Sequence, residues 1–467
     1  MELKGKAVTV VGLARSGTSA ANLLAGLGAS VTVTDRKSPQ ELKAFVDRLN
    51  PGIKPALGSH PPELFENTDL IVVSPGVPLT ITPLKMAAER GIRIIGELEL
   101  AYQVISRKSE DRLRKTDFLA ITGTNGKSTT TTLLYEMLRN GGFNAALGGN
   151  IGNALTEEIF KGSNSLLDYI VVEVSSFQLE SIHEFRPKAA TILNITPDHL
   201  DRYPSMAAYI EAKCRIFSNQ GTGDFLVLNA DDPMTGELVK RVRDRKSGAG
   251  SIPRIFYFSR RREVEGAYLK DGVICFKVPG VPSTFNLHPS SFKIKGVHNM
   301  ENTMAASVMA LLSGCGTDAV ADTMRDFPGL EHRLEFVRET GGIKFINDSK
   351  GTNVGAVVKS LESFQGPVIL IAGGRDKDGD FTELRPLVKD KVKALVLIGE
   401  AKDKIRKALG DLKQVFMEDD FKAAIKKARD IASPGDVVLL SPACASFDMF
   451  RDFEDRGRQF KKAVMEL

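Results

Sequence analysis

The stretch AITGTNGKSTTTTLL, residues 120–134, decides how this chain is read. An apolar run leads into Gly123 and Gly126, Lys127 and Ser128 follow, and a threonine-rich segment continues to Asn140. Strand, glycine turn, Lys-Ser and helix is the order of a phosphate-binding loop. Glycines let backbone N–H groups turn toward phosphate oxygens at the positive end of a helix. The lysine neutralises β/γ-phosphate charge and the hydroxyl ligates Mg²⁺. The usual pattern, G-x-x-x-x-G-K-[ST], would place its first glycine at 121, where Ile121 stands. Gly123 is the nearest glycine upstream. The context still reads as a nucleotide loop, against the bland alternative of an ordinary Gly/Asn strand–helix turn.

Outward from the loop, a helix is expected over KSTTTTLLYEMLRN, stopped by Gly141 and Gly142. Buried strands follow at 169–176, 189–196 and 224–232. RIFYFS, AYLKDGVICF and SFKIKG then alternate with turn signals, as a small antiparallel subsheet would. A helix at 299–312 closes this block. Upstream lies an earlier β/α alternation. Its strands are at 6–12 and 29–35, a strand and loop occupy 69–78, a strand and helix occupy 91–103, and SRKSEDRLRKTD (106–117) reads as a linker. Downstream the alternation restarts at 344–349, 367–374, 394–399 and 436–443. The fold class is therefore α/β with three domains: a Rossmann-like domain over 1–112, a central P-loop-type mononucleotide-binding domain over 113–329, and a Rossmann-like C-terminal domain over 330–467.

Composition narrows the partners. With 63 basic and 58 acidic residues the net charge is +5 over 467 residues. That balance argues for no nucleic-acid partner and leaves small anionic substrates open. Cys214, Cys275, Cys315 and Cys444 are far apart and form no C-x-x-C pair, as in a reduced compartment. The N-terminal apolar run stops at glycine and reads as a strand, not a signal peptide. No run reaches membrane-span length. A cytoplasmic enzyme is expected.

Other residues could carry chemistry. Glu173 lies inside the apolar run YIVVEVSS, where a carboxylate is costly unless paired or metal-bound. His199 follows another strand, where open α/β sheets bind ligands, although a loop histidine is more often merely solvated. Lys213, in AAYIEAKCRIF, reads from spacing alone as a surface lysine on a helix. GLARSG (12–17) after the first strand, with Asp35 ending the next, suits a nucleotide or nucleotide-sugar site as well as it suits NAD, and G-x-G-x-x-G would need glycine where Ala14 stands. Arg333, Asp348, Lys350, Thr352, Lys377, Ser446 and Phe453 cluster in loops of the third block, several just past strand ends, and suggest a second, anionic substrate.

Taken together, TGTNGKST, VVEVSSFQLE, NITPDHLDRY, the lysine of EAKCRIF, GVHNMENTMAA, GLEHRLEF, NDSKGTN, GGRDKD and SPACASFDMFRDFEDRGRQF resemble the Mur ligase family of ATP-dependent peptide synthases. The resemblance covers nearly the whole chain. TGTNGK[ST] is that family's form of the loop, which accounts for Ile121. Within the family, the last motif and the Rossmann-like N-terminus point to the activity that adds D-glutamate to UDP-N-acetylmuramoyl-L-alanine in peptidoglycan synthesis.

The resemblance implies the following roles. Gly123, Thr124, Asn125, Gly126, Lys127, Ser128 and Thr129, with Asn299, Asn302, Arg333 and Asp348, would bind ATP. Ser128 and Glu173 would serve one Mg²⁺, and His199 with carbamylated Lys213 a second. Lys127, Asn150, His199 and Lys213 would form the catalytic set. Ala14, Arg15, Ser16, Asp35, Arg36, Gly76 and Asn150 would hold the UDP-substrate, and Thr352, Lys377, Ser446 and Phe453 would hold D-glutamate. A monomer is expected. The competing readings are a sibling ligase or a folylpolyglutamate synthase, an NAD-dependent dehydrogenase built on the first block, and a non-catalytic nucleotide-binding regulator.

Overall fold

Runs of Val, Ile and Leu without polar alternation make strands buried on both faces, which helices must cover. The computed structural model describes residues 2–110, 115–161, 167–199, 202–245 and 252–467, and its strands gather such runs into three sheets. The first contains β1 (Ala7–Val11), β2 (Ser30–Asp35), β3 (Lys54–Leu57), β4 (Leu70–Val73) and β5 (Arg93–Gly96). Their order is β3-β2-β1-β4-β5, all parallel. The order reverses between β1 and β4, so the loops after these two strands face a crevice of the kind that binds nucleotides.

The central sheet contains β6 (Asp117–Thr122), β7 (Ala145–Gly149), β8 (Tyr169–Glu173), β9 (Ala189–Ile192), β10 (Phe225–Asn229), β11 (Arg254–Ser259), β12 (Gly266–Lys270), β13 (Val273–Lys277) and β14 (Asn286–Leu287). Its order is β14-β13-β12-β11-β10-β9-β6-β8-β7. Two expectations are corrected here. RIFYFS (β11) pairs parallel with both β10 and β12, so only the β12–β13 and β13–β14 pairs are antiparallel. SFKIKG is not a strand: it follows a short 3₁₀ turn at Pro289–Ser291 and leads into the Val297–Leu312 helix, while the last strand is Asn286–Leu287.

The third sheet contains β15 (Glu335–Thr340), β16 (Ile343–Asn347), β17 (Val368–Gly373), β18 (Val392–Ile398), β19 (Gln414–Met417) and β20 (Val437–Leu440). The order is β15-β16-β20-β17-β18-β19, parallel except for β15. β20 lies between β16 and β17, so the loops leaving these three strands emerge side by side.

The first part of the supposed linker is helical. The helix that starts at Glu97 runs to Glu110, and the expected boundary at 112–113 lies outside the described residues. One apolar core spans the first and central sheets: Leu24, Leu98 and Ala101 belong to the same cluster as Phe118, Leu155 and Tyr209. Tyr102, Phe118 and Phe185 meet edge-on, with ring centroids 5.2–5.8 Å apart. The third sheet has its own cores.

Candidate active site

The 123–126 turn leaves β6 between the ends of β9 and β8. Gly126 has φ +85, and a Cβ there would lie 2.2 Å from Asn302 Oδ1, so glycine is required twice over. The turn is tied to the loop after β9. Thr124 Oγ1 donates to the Thr196 carbonyl at 3.0 Å, Asn194 Oδ1 accepts from Asn125 N–H at 2.9 Å, and Asn194 Nδ2 donates to the Asn125 carbonyl at 3.1 Å. The Lys127–Asn140 helix begins without a side-chain cap. Its first-turn N–H groups are thus available to an anion.

Lys127 Nζ folds back onto the carbonyls of Gly123 (3.0 Å) and Thr124 (2.8 Å). Lys213 Nζ donates to the same Gly123 carbonyl at 2.8 Å. The surface position read from spacing is wrong: Lys213 is 2% exposed, because its helix (Met206–Cys214) packs beneath the loop with Tyr209 against the ammonium at 4.7 Å. Burial, reinforced by the neighbouring Lys127 charge, pushes Lys213 well below the usual lysine range, although Asp198 and Glu173 oppose the shift.

Glu173 ends β8, buried, and its Oε1 accepts from Asn150 Nδ2 at 2.7 Å. Its Oε2 has no hydrogen-bond partner among the described residues. Burial alone would raise this carboxyl. Lys127, Ser128 and Asn150 outweigh it and hold the group below its ordinary value. Ser128 Oγ accepts from Arg333 at 2.8 Å, which carries the third block onto the phosphate loop.

A cavity of about 350 Å³, within the range of small-molecule sites, opens beside the loop. Asn125, Gly126, Thr129, Asn299, Asn302, Arg333 and Asp348 line it. Asp348 is held by Ser360 and Ser441 hydroxyls, each at 2.6 Å, and burial pushes its carboxyl up to about 6.

The loops of the third sheet converge on the same place. Lys377, after β17, approaches Asp198 at 3.7 Å, and His199 Nε2 lies 3.7 Å from the same carboxylate. Asn353 Nδ2 reaches Asp198 at 3.3 Å and caps the next helix through its Oδ1. Asp198 is the junction that the sequence reading missed. Its signal was a second carboxylate in TPDHLD, beside the histidine that was singled out. Thr352 lies in the loop after β16, its N–H on the Lys350 carbonyl. Phe453 lies under Lys350 Nζ, 3.6 Å from the ring centroid. Ser446 is buried in the loop after β20. Arg456 was also missed. Fully buried, it donates to Ser349 and to the Cys444 and Ala445 carbonyls, bracing the 441–446 loop. It acts as scaffold.

The remaining candidates lie apart, on the first sheet's crevice. Gly12 has φ +93, and a Cβ on Gly17 would lie 1.9 Å from the Gly12 carbonyl, so this turn too demands its glycines. Ser74 Oγ donates to that carbonyl at 2.7 Å, joining the two crevice loops. Ala14 stands at the N-cap position of the Arg15–Gly26 helix, without a side-chain cap bond, and the helix's first turn carries Arg15 and Ser16. Asp35 accepts from Leu13 N–H at 2.7 Å and Lys37 N–H at 2.9 Å, so it shapes the turn. Each oxygen keeps a lone pair for a ribose hydroxyl. Arg36 and Gly76 are exposed at the rim, and Arg202, another missed residue, donates to the Pro75 carbonyl at 3.2 Å.

Comparison with known proteins agrees with this layout. Residues 6–96 match the Mur ligase MurD-like N-terminal domain, residues 121–310 the Mur ligase middle domain, and residues 332–444 the Mur ligase glutamate ligase domain. The chain is 47% identical to a UDP-N-acetylmuramoylalanine--D-glutamate ligase of Geotalea daltonii, covering 100% of this chain and 99% of that protein. It is 44% identical to the same-named ligase of Pelotomaculum thermopropionicum, covering 99% and 98%. Among solved structures, the UDP-N-acetylmuramate-alanine ligase MurC of Thermotoga maritima superposes with a TM-score of 0.61 at 18% identity, covering 99% of both chains. The MurF ligase of the same organism, solved with ADP, gives 0.61 at 15% identity, covering 94% of this chain and 95% of its own.

Proposed function

The chain belongs to the Mur ligase family, and from that premise we propose how its residues divide the work of the reaction. It is an ATP-dependent ligase that joins D-glutamate to UDP-N-acetylmuramoyl-L-alanine in peptidoglycan precursor synthesis. The observation that carries the division of labour is the convergence of the phosphate loop, Glu173 and the Asp198–Lys377 contact.

The substrate carboxylate is a poor acyl donor. Transfer of the γ-phosphoryl group to it forms an acyl phosphate. The D-glutamate amine then attacks, and the tetrahedral intermediate expels phosphate to leave the amide. Lys127 exchanges its loop carbonyls for the transferring phosphoryl group, and Arg333 adds charge from the opposite side. Asn150 holds Glu173 and would contact the UDP-substrate near the transferred group. Asn299, Asn302 and Asp348 hold the nucleoside. Thr352, Lys377, Ser446 and Phe453 receive D-glutamate, the lysine facing one of its carboxylates. Ala14, Arg15, Ser16, Asp35, Arg36 and Gly76 hold the uridine nucleotide.

The donors suit Mg²⁺. Glu173 Oε2 is a buried acceptor with no hydrogen-bond partner among the described residues, and such oxygens are what the ion prefers. Ser128 and Glu173 would hold one ion, and His199 with a carbamylated Lys213 a second. When bound, Mg²⁺ supplies charge neutralisation on the phosphates. Carbamylation needs a neutral amine, and the lowered proton affinity of Lys213 favours it. By this reading residues 1–112 form the UDP-substrate domain, 113–329 the ATPase domain and 330–467 the amino-acid domain, in a cytoplasmic monomer. Among the described residues no helix is long and apolar enough to cross a membrane.

The test is phosphate release with ATP, Mg²⁺ and UDP-N-acetylmuramoyl-L-alanine, comparing D-glutamate, L-glutamate and no amino acid. Release that depends on D-glutamate alone is expected. Release indifferent to the amino acid would refute the acceptor assignment.

A further inference from the structure

A chain of polar side chains between the first and central sheets takes no part in the steps above. Glu97, 2% exposed, stands at the start of the Glu97–Glu110 helix. Its Oε1 accepts from the Thr156 N–H at 2.7 Å and from Thr156 Oγ1 at 2.8 Å. Thr156 Oγ1 is also 2.8 Å from Ser19 Oγ. A hydroxyl has one proton. With that of Thr156 drawn to the carboxylate, Ser19 supplies the proton for the second contact, and the chain ends at Glu97.

The two ends of this chain belong to different parts of the substrate site. Ser19 is on the Arg15–Gly26 helix, whose first turn carries Arg15 and Ser16 of the uridine-nucleotide turn. Thr156 is on the Leu155–Lys161 helix, a few residues after Asn150, whose amide holds Glu173 at 2.7 Å. Resting on the proposed reaction, we infer that Ser19, Thr156 and Glu97 are positioning residues that set the uridine-nucleotide turn in register with the Asn150 loop. A substrate held at its uridine end then presents its carboxylate at the phosphate loop.

A ligand held at two sites gains from the second contact only when the spacing is correct. In the reaction, binding energy from the remote nucleotide is used to place the reacting carboxylate. Loosening the register should therefore penalise the full substrate selectively. A substrate lacking the uridylyl group has no distant anchor and should be indifferent.

Thr156→Val keeps the side-chain shape and the backbone N–H bond but removes the hydroxyl. The assay compares kcat/KM for UDP-N-acetylmuramoyl-L-alanine and for 1-phospho-N-acetylmuramoyl-L-alanine. About a tenfold loss is expected on the first and less than twofold on the second, with the KM for ATP unchanged and Thr156→Ser restoring the wild-type ratio. Equal losses on the two substrates, or no loss on either, would overturn the inference. If Thr156→Val does not fold, Ser19→Ala must show the same selectivity, since it cuts the chain at its other end. Wild-type rates separate the two possible failures: an indifferent variant beside an active wild type refutes the register alone, whereas an inactive wild type refutes the assigned reaction and the register with it.

Discussion

Asp198→Asn tests the junction between the central and third blocks. Asp198 faces Lys377 at 3.7 Å, with side chains 10% and 24% exposed. Two unit charges at that distance attract by about 4.5 kcal/mol at an effective dielectric constant of about 20. Desolvation and side-chain ordering reduce the net to about 1–2 kcal/mol for a partly buried pair. Asparagine keeps the size and still accepts from Asn353, so the charge is what is lost. A loss of about 1.4 kcal/mol is tenfold in an equilibrium. We expect kcat/KM for D-glutamate to fall about tenfold with little change in KM for the UDP-substrate. Because the effect runs through Lys377, Asp198→Asn and Lys377→Met should be non-additive, with a coupling energy of about 1 kcal/mol or more. The assay is steady-state phosphate release over a D-glutamate titration for wild type, both single variants and the double variant. Losses that add to within about 0.5 kcal/mol would refute the reasoning, since independent sites behave that way.

Lys127→Ala should abolish ligation while leaving the fold intact; measurable turnover would remove the phosphate-loop argument. Lys213→Ala should be inactive and partly rescued by short-chain carboxylates, which replace an anionic oxygen; wild-type rates without rescue would refute the carbamate role. Burial pushes the folded Asp348 carboxyl up to about 6 from its ordinary value of 3.8. The folded state therefore binds its proton more tightly, and its contribution to stability falls as pH rises from about 4 to 7, by about 3 kcal/mol in all. Asp348→Asn does not titrate, so the wild-type-minus-variant stability measured without nucleotide should fall by that amount across this range; a flat difference would contradict it. Glu99, fully buried, accepts from the backbone N–H groups of His183, Glu184 and Phe185 at 2.8–3.0 Å. Glu99→Ala should cost about 3–5 kcal/mol in urea unfolding, because it leaves the buried Phe185 N–H and Gln103 amide unpaired along with two part-buried N–H groups; a loss under 1 kcal/mol would show that water replaces the carboxylate.

The α/β class was legible because buried parallel strands announce themselves as unbroken apolar runs, and the phosphate loop because its glycines and Lys-Ser lie between such a run and a helix. The edge of the central sheet was less legible. RIFYFS looks like a hairpin strand from its turn signals, yet its partners are parallel, and pairing direction is a tertiary property. Lys213 was misplaced for a related reason. Its helix carries apolar residues on most sides, so periodicity does not say which side meets the phosphate loop. Arg456 and Asp198 are charged residues whose importance arises from burial, and spacing alone does not reveal that an arginine in FEDRGRQF is fully buried. Gly457 was the available signal. A Cβ there would lie 2.2 Å from His332 Nδ1, so that helix face has to press closely on the 332–333 segment.

The two domain boundaries differ in chemistry, and the difference bears on how the reaction proceeds. Between the first and central sheets the contact is a shared apolar core, reinforced by Glu99 and the Tyr102–Phe118–Phe185 cluster. Packed apolar surfaces resist sliding because they are close-packed. Between the central and third blocks the contacts are polar and come from loops: Arg333 to Ser128, Asn353 and Lys377 to Asp198. Each of those groups can exchange its partner for a phosphate or carboxylate oxygen at little net change in hydrogen bonding. Arg333 itself is flanked by His332 at φ +64 and Leu334 at φ +44, a left-handed backbone that non-glycine residues adopt only when the surroundings impose it. A ligase that must admit ATP and D-glutamate and then exclude water from an acyl phosphate needs one boundary that opens and one that does not. On the proposed division of labour, the apolar boundary keeps the uridine-nucleotide turn fixed against the phosphate loop, and the polar boundary, where Arg333 and Lys377 already reach Ser128 and Asp198, is the one that opens to admit ATP and D-glutamate.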